Sequence, residues 1–345
     1  MPVRLRDIAE QAEVSEATVS RVLNGRPGIG DETRERVLRV ADQLGHHPAP
    51  ARRRRRAGTV GIVVPELDNP IFPAVVQALG TQLAAHRLVP LVGSATPEGI
   101  REDDYVEAMA ERGVGGFVFV SGMHADEGSD PARYQRLLDR GLGVVLVNGR
   151  HHGVDAPSVG CDETHAAAAA VEHLVSLGHR RIGCAIGPTR YATSRHRVEG
   201  FTAAIERLLE PGAAVIEETV FTVEGGHVAG GHLIDAGVTA IVAASDLMAL
   251  GAIRAAHDRE LGVPTDISIV GYDGAPITAF TDPPLTTARQ PWRAMAEAAV
   301  RLLLPQLDGE PVARADHLTF RADLVVRRST GPAPPHRRRA RRTKT

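Results

Sequence analysis

The sequence predicts an α/β protein in two parts: an N-terminal three-helix, helix-turn-helix head, and a larger core of two lobes, each a doubly wound parallel sheet. Three observations predict it. Apolar residues recur at helical spacing in short runs before residue 48, and a Pro- and Arg-rich stretch follows. From Thr59 onward, short Val/Ile-rich runs alternate with helical patterns of ten or more residues. At 345 residues the chain is too long for one ordinary core and suits a small domain plus a larger one of two lobes.

In the head, Ile8, Ala9 and Ala12 stripe a first short helix. Glu13-Val14 turns the chain, and Ser15 is placed to cap a second helix with its hydroxyl. Val19, Val22 and Leu23 then share one face of that helix, opposite Glu16, Ala17, Ser20, Arg21 and Asn24. Such a polar face suits a major groove, although the same spacing fits an amphipathic hairpin that merely packs. A third helix opens at Gly30, gains from Asp31 and Glu32 at its positive end, carries Val37, Ala41 and Leu44, and stops at Gly45. Pro48, Pro50 and the run Arg52, Arg53, Arg54, Arg55 and Arg56 then argue for a basic linker over 48–58.

The core, 59–330, reads as strands at Thr59–Pro65, Leu88–Gly93, Gly115–Ser121, Val144–Asn148, Arg181–Gly187, Val215–Thr222, Ala240–Ser245 and Ile267–Tyr272. Helical patterns such as Glu163–Leu177 and Asp246–His257 lie between them, which is the grammar of parallel sheets covered on both faces. The break between lobes falls near Val159–Glu163. Open α/β sheets bind ligands beyond the carboxyl ends of their strands. Those ends carry Asp68, Asn69 and Phe72; Ser121; Asn148; Arg195 and Arg197; Phe221; Ser245 and Asp246; and Asp273. The mixture fits a sugar or similar polar ring. Each residue singly also has a structural reading: helix caps for Asp68 and Asp246, core for Phe72 and Phe221, a salt bridge for Arg197.

Composition narrows the classes. No run reaches membrane-span length and the N-terminus lacks the apolar core of a signal peptide, so a cytoplasmic protein is expected. Cys161 and Cys184 lack C-x-x-C spacing and read as buried thiols. Residues 1–58 carry a charge of about +4 and 331–345 about +6, leaving the middle near −12, so the ends suit phosphate and the body does not. The last segment reads as a disordered, solvated tail. No P-loop, dinucleotide fingerprint, H-E-x-x-H or G-x-S-x-G occurs, and the one lysine is Lys344. His46-His47 and His151-His152 lack a third ligand at metal spacing. No enzyme, cofactor or metal is expected.

The string R-D-I-A-E-Q-A-E-V-S-E-A-T-V-S-R-V-L-N-G, Arg6 to Gly25, resembles the DNA-binding head of the lactose-repressor (LacI/GalR) family of bacterial transcription regulators, and the resemblance runs through nearly the whole chain. It implies DNA contacts from Ser15, Glu16, Ala17, Thr18, Ser20, Arg21 and Asn24, and from the basic segment Arg52 to Arg56. It also implies a periplasmic-binding-protein fold with three crossings between the lobes. Lobe 1 would take about 59–162 and 290–320, and lobe 2 about 163–289 and 321–330. D-N-P-I-F at Asp68–Phe72 implies that Ile71 and Phe72 line an effector pocket, R-V-E-G-F implies that Arg197 reaches it, and Ser245, Asp246, Asp273 and Phe221 follow from matching segments. Asp162 is a weaker candidate at a crossing.

Three positions depart from the family pattern. Glu13 stands where a turn glycine is usual, and Arg4 replaces the usual capping threonine. Ala51–Ala57 contains no large apolar residue, with an arginine near Arg55 where the family wedges a leucine into the minor groove. The expectation is a homodimeric regulator, a repressor of a palindromic double-stranded operator, controlled by a sugar-like effector between the lobes. The alternative effectors are a nucleoside or a phosphorylated metabolite, and the rival classes are a plain solute-binding protein and an unrecognised hydrolase. The sequence carries no heptad pattern near its C-terminus.

Overall fold

A computed structural model describes residues 5–23, 29–44, 58–96, 99–151, 153–209, 213–310 and 316–335, in two compact units, Met1–Arg55 and Arg56–Thr345. Asn24, the arginines 52–56, Arg4 and the tail beyond 335 lie outside the described residues.

The first unit holds α1 (Leu5–Gln11), α2 (Glu16–Leu23) and α3 (Asp31–Gln43). Ile8, Ala9, Ala12, Val19, Val22, Val37 and Ala41 close one small core, which explains why their helical spacing was legible. The turn after α1 is a Schellman closure: the Val14 N–H donates to the Ala9 carbonyl at 3.0 Å and the Glu13 N–H to the Glu10 carbonyl at 3.4 Å. That geometry forces Glu13 to φ 53°, the left-handed region that glycine occupies freely. Glu13 therefore carries roughly 1 kcal/mol of backbone strain.

The second unit contains the helices α4 (Ile71–Ala85), α5 (Glu102–Glu111), α6 (Ala132–Asp139), α7 (Glu163–Ser176), α8 (Ala192–Leu208), α9 (Val223–Asp235), α10 (Asp246–His257) and α11 (Trp292–Leu307), and two sheets. The first comprises β1 (Thr59–Val64), β2 (Val89–Ser94), β3 (Gly116–Val120), β4 (Gly143–Val147), β5 (Ser158–Cys161) and β11 (His317–Phe320), in the order β11-β5-β4-β3-β1-β2. The second comprises β6 (Ile182–Ile186), β7 (Val215–Glu218), β8 (Ala240–Ala243), β9 (Ser268–Asp273), β10 (Thr286–Arg289) and β12 (Asp323–Val325), in the order β12-β10-β9-β8-β6-β7. All pairings are parallel except β10 with β12. The strand order reverses between β1 and β3 and again between β6 and β8, the switch points where an open sheet leaves a crevice at its carboxyl edge.

The central strands are buried on both faces, Phe117–Val120 and Val144–Val147 among them, which is why they read as unbroken apolar runs. The chain crosses between the sheets three times, after β5, after β10 and between β11 and β12. Helix α11 (Trp292–Leu307) packs on the first sheet through Met295, Ala299, Val300 and Leu303, whereas α7 (Glu163–Ser176) packs on the second through Ala170, Val171 and Leu174.

Two expectations need correction. The tail does not begin at 331 as loose chain: the Gly331 carbonyl accepts from His179 Nε2 at 3.1 Å and Ser268 Oγ at 3.2 Å, and the Ala333 N–H donates to Leu177. Buried polar partners hold these residues on the second lobe. The strand expected over Val215–Thr222 ends at Glu218, because Thr222 caps α9 (Val223–Asp235) by accepting from the Gly225 N–H. Cys184 is buried as expected, with its thiol pushed up to about 12 by burial, while Cys161 is half-buried at the first crossing.

Relief of the Glu13 strain is measurable as amide hydrogen exchange in α1 and α2 of the full chain. Glu13→Val, β-branched at a left-handed position, should lower head stability by about 1–2 kcal/mol, while Glu13→Gly should not lower it. Equal losses in both variants would show that position 13 is not strained.

Candidate functional site

In the head, α2 presents Glu16, Ala17 and Arg21 as exposed side chains, with Thr18 and Ser20 half-buried. Val19 and Val22 turn inward. Ser15 is committed structurally: its Oγ accepts from the Thr18 N–H at 3.1 Å and lies 2.9 Å from Thr18 Oγ1. The outer face is thus a carboxylate, a methyl group and a guanidinium in a row one helix wide.

In the core, the carboxyl ends of the strands face each other across a cleft of about 600 Å³. Pro65 and Glu66 follow β1, Ser121 follows β3, and Asn148 follows β4; Pro188 follows β6, Ala244 and Ser245 follow β8, and Asp273 ends β9. Three of these positions have left-handed backbones, Ser121 at φ 49°, Asn148 at φ 55° and Asp273 at φ 110°, so the chain turns sharply where the side chains reach the cleft. Aromatic faces come from Phe72, Tyr191, Phe221 and Trp292. A Cβ on Gly187 would collide with the outer end of the Phe221 ring, which therefore packs directly against bare backbone.

Arg197 anchors the floor. Its Nε donates to Glu163 Oε2 at 2.6 Å, one terminal nitrogen donates to the Ala244 carbonyl, and the guanidinium lies 3.6 Å from the Tyr272 ring centroid. Burial works against this cation, but Glu163, Tyr272 and Asp273 together outweigh it and raise its pKa. A polar chain spans the lobes beside it: Asn148 Nδ2 donates to Gln290 Oε1 at 3.1 Å, and Gln290 Nε2 to Asp273 Oδ1 at 3.0 Å. Asp273 and Asp246 are buried close together. Burial pushes Asp246 up to about 6, and burial together with the Asp246 charge raises Asp273 well above the carboxylate range.

Of the effector residues expected from sequence, Ile71, Phe72, Ser121, Asn148, Arg197, Phe221, Ser245 and Asp273 line this cleft. Ser245 also caps α10 (Asp246–His257) through the Met248 N–H. Asp68, Asp162, Arg195 and Asp246 do not line it. Asp162 caps α7 by accepting from the His165 N–H at 2.9 Å, and Asp246 accepts from Thr287 Oγ1 at 2.6 Å and the Ala275 N–H at 2.7 Å. Arg195 ion-pairs with Glu127 across the lobes; with the Arg190–Asp126 pair at 3.2 Å and the bridge between Asp126 and Tyr191, it fastens one side of the cleft mouth. Asp68 is exposed in the turn after β1, where its charge adds to burial in raising the pKa of Glu66.

Sequence reasoning missed Glu66, Thr96, Arg190, Tyr191, Gln290 and Trp292. Trp292, the single tryptophan, was findable as the first residue after the second crossing's Pro291. Among the described residues no group of His, Cys, Asp and Glu is arranged to hold a metal ion, and no helix is long and apolar enough to cross a membrane.

A helix-turn-helix unit joined to a two-lobed, cleft-bearing core defines a ligand-responsive DNA-binding regulator. Comparison with known proteins makes the class specific. A family description of bacterial regulatory proteins, lacI family, matches residues 4–49, and a periplasmic binding protein-like domain matches 171–330. The chain is 47% identical over 344 residues to the HTH-type transcriptional regulator MalR of Streptomyces coelicolor, covering 98% of this chain and 100% of that one. It is similar in structure to a transcriptional regulator CelR–cellobiose complex, with TM-score 0.70, 29% identity, and coverage of 95% of this chain and 100% of the other. It is also similar to the lac repressor dimer bound to operator and an anti-inducer, with TM-score 0.68, 26% identity, and coverage of 96% and 100%. The chain belongs to the LacI family of bacterial transcriptional regulators; it is a regulator and not an enzyme.

The buried carboxylates give a pH dependence with a definite sign. A folded-state pKa above the unfolded value near 3.8 means the native state binds the extra proton, so this contribution is present in acid and is lost as pH rises through about 6. Asp273→Asn, which removes one of the two repelling charges, should stabilise the unliganded protein by about 1–2 kcal/mol at pH 7 and by little at pH 4. Thermal unfolding at both pH values checks this; a variant less stable at pH 7 would mean that the carboxylate is a net asset there.

Proposed function

We propose that this chain is a cytoplasmic repressor that binds a palindromic operator as a homodimer and changes its DNA affinity when a sugar occupies the cleft. The observation that carries the reading is the cleft itself, in which flat aromatic faces alternate with amide, hydroxyl and carboxylate groups drawn from both lobes. Such a lining binds a ring through its C–H faces and its hydroxyl edges at once. Its volume of about 600 Å³ has room for more than one pyranose ring, in keeping with the cellobiose named for a structural relative. A thermal-shift screen of sugars, polyols and nucleosides tests it, and a response confined to nucleosides would favour the nucleoside reading instead.

The head, 1–47, would place α2 in the major groove, with Glu16, Ala17 and Arg21 toward base edges, while the linker 48–58 lays its arginines on phosphates and the minor groove. Two heads require a dimer. The second lobe offers Ile277, 54% exposed, and Phe280, 84% exposed, an apolar pair suited to a copy of itself. A ligand touching both lobes shifts DNA affinity only through unequal binding to lobe arrangements that bring the two linkers together or apart.

Two measurements bear on these contacts. A carboxylate survives beside phosphates where it accepts from a cytosine amino group, so Glu16→Ala should relax base preference at one operator position by about 1–3 kcal/mol; an unchanged consensus would make Glu16 a solvated bystander. Phe280→Arg should weaken dimerisation at least about tenfold in sedimentation equilibrium and weaken operator binding with it. An undisturbed dimer would place the interface elsewhere.

A further inference from the structure

The cleft contains carboxylates and guanidinium groups; the guanidinium groups and Asp273 are committed, and the Glu66 carboxylate is not. Arg197 is held by Glu163, the Ala244 carbonyl and the Tyr272 ring. Arg190 is held by Asp126 and by the Tyr191 hydroxyl at 3.0 Å, with its guanidinium 4.7 Å from the Tyr191 ring centroid. The chain's single lysine is Lys344, outside the described residues. Helix starts are the other common seat for a phosphate, through their free N–H groups. Three that face this cleft have a side chain on an N–H, Ile71 from Asn69 Oδ1 at 3.2 Å, Gly225 from Thr222 and Met248 from Ser245, whereas the starts of the helices Ala192–Leu208 and Trp292–Leu307 carry no side-chain cap.

The groups left open are acceptors, with one donor. Glu66, half-buried at the end of β1, forms no hydrogen bond or ion pair among the described residues. Asn148 Oδ1 is buried and unpaired, and so is the Trp292 Nε1 donor. Hydroxyls of a polyhydroxy ligand satisfy this set, one donating to Glu66 and another to Asn148, with a lone pair accepting from Trp292. A phosphate oxygen only accepts, so it would set acceptor against acceptor and bring its charge beside Glu66 in a partly desolvated space.

We propose that the cleft sorts ligands by charge, admitting uncharged polyhydroxy compounds and rejecting their phosphorylated forms, with Glu66 as the specificity-determining residue. The proposal rests on the sugar reading and deepens it.

Trp292, the only tryptophan, lines the cleft and supplies a direct readout. Its emission, with isothermal titration alongside, is followed in the full chain on adding maltose or cellobiose and then their 6′-phosphates. The wild type should bind the neutral sugar that responds best at least about tenfold more tightly than its phosphate, a gap that shrinks as salt is raised. Glu66→Gln should narrow the gap several-fold, while Glu66→Asp, which keeps the charge, should preserve most of it. Phosphate binding equal to or tighter than neutral binding in the wild type would overturn charge selection while leaving sugar in the cleft. A gap unchanged in Glu66→Gln would remove Glu66 as the selector. Silence toward every sugar in both measurements would overturn the sugar reading itself, and this proposal with it.

Discussion

The buried Arg197 cation is the interaction on which the cleft depends. It ties together the start of α7 through Glu163, the end of β8 through the Ala244 carbonyl, and β9 through the Tyr272 ring. Strands β8 and β9 both end at the cleft, at Ala244 just past β8 and at Asp273. Removing one partner from a buried, hydrogen-bonded ion pair typically costs about 3–5 kcal/mol, because the other charge is left without compensation. The second lobe's half of the cleft is therefore rigid where it meets a ligand, and the adjustable part is the relation between lobes.

That relation is held by few contacts. Beside the three chain crossings, the polar links among the described residues include the Asn148–Gln290–Asp273 chain, the ion pairs of Asp126 and Glu127 with Arg190 and Arg195, and the backbone bond from the Glu127 N–H to the Arg190 carbonyl. Tyr191 belongs both to the cleft lining and to the bridge with Asp126, so a ligand resting on its ring bears directly on a lobe-to-lobe contact. A two-lobed body with a rigid floor and a small number of inter-lobe bonds is suited to a binding-driven shift between arrangements.

The fold was legible because its signals are periodic. Double burial of β3 and β4 shows as apolar runs, and the head's core shows as helical spacing. Strands β5, β10, β11 and β12 were not legible as strands: they span four residues or fewer and carry sequences such as T-T-A-R and H-L-T-F, whose pairing is decided by neighbours distant in the chain. The site was legible in part. A rule that looks beyond strand ends finds Asn148 and Asp273, but it also collects Asp162 and Asp246, since a carboxylate that caps a helix or bonds a buried threonine looks the same in sequence. Glu66 was passed over for Asp68 because the two lie in one turn and only the three-dimensional path of the chain decides which enters the cleft. Gln290 and Trp292 belong to a crossing segment, where neither strand nor helix periodicity marks a direction.

The central claim is that occupancy of the cleft and occupancy of the DNA site are one coupled equilibrium. The most direct measurement is reciprocal: the affinity of the full chain for operator with and without saturating sugar, and its affinity for the same sugar with and without operator. Linkage requires both affinities to change by the same factor, and a coupling of about 1–3 kcal/mol corresponds to roughly 5- to 150-fold. Equal factors within that range are the predicted result. Sugar binding in the cleft that leaves operator affinity unchanged would contradict the account.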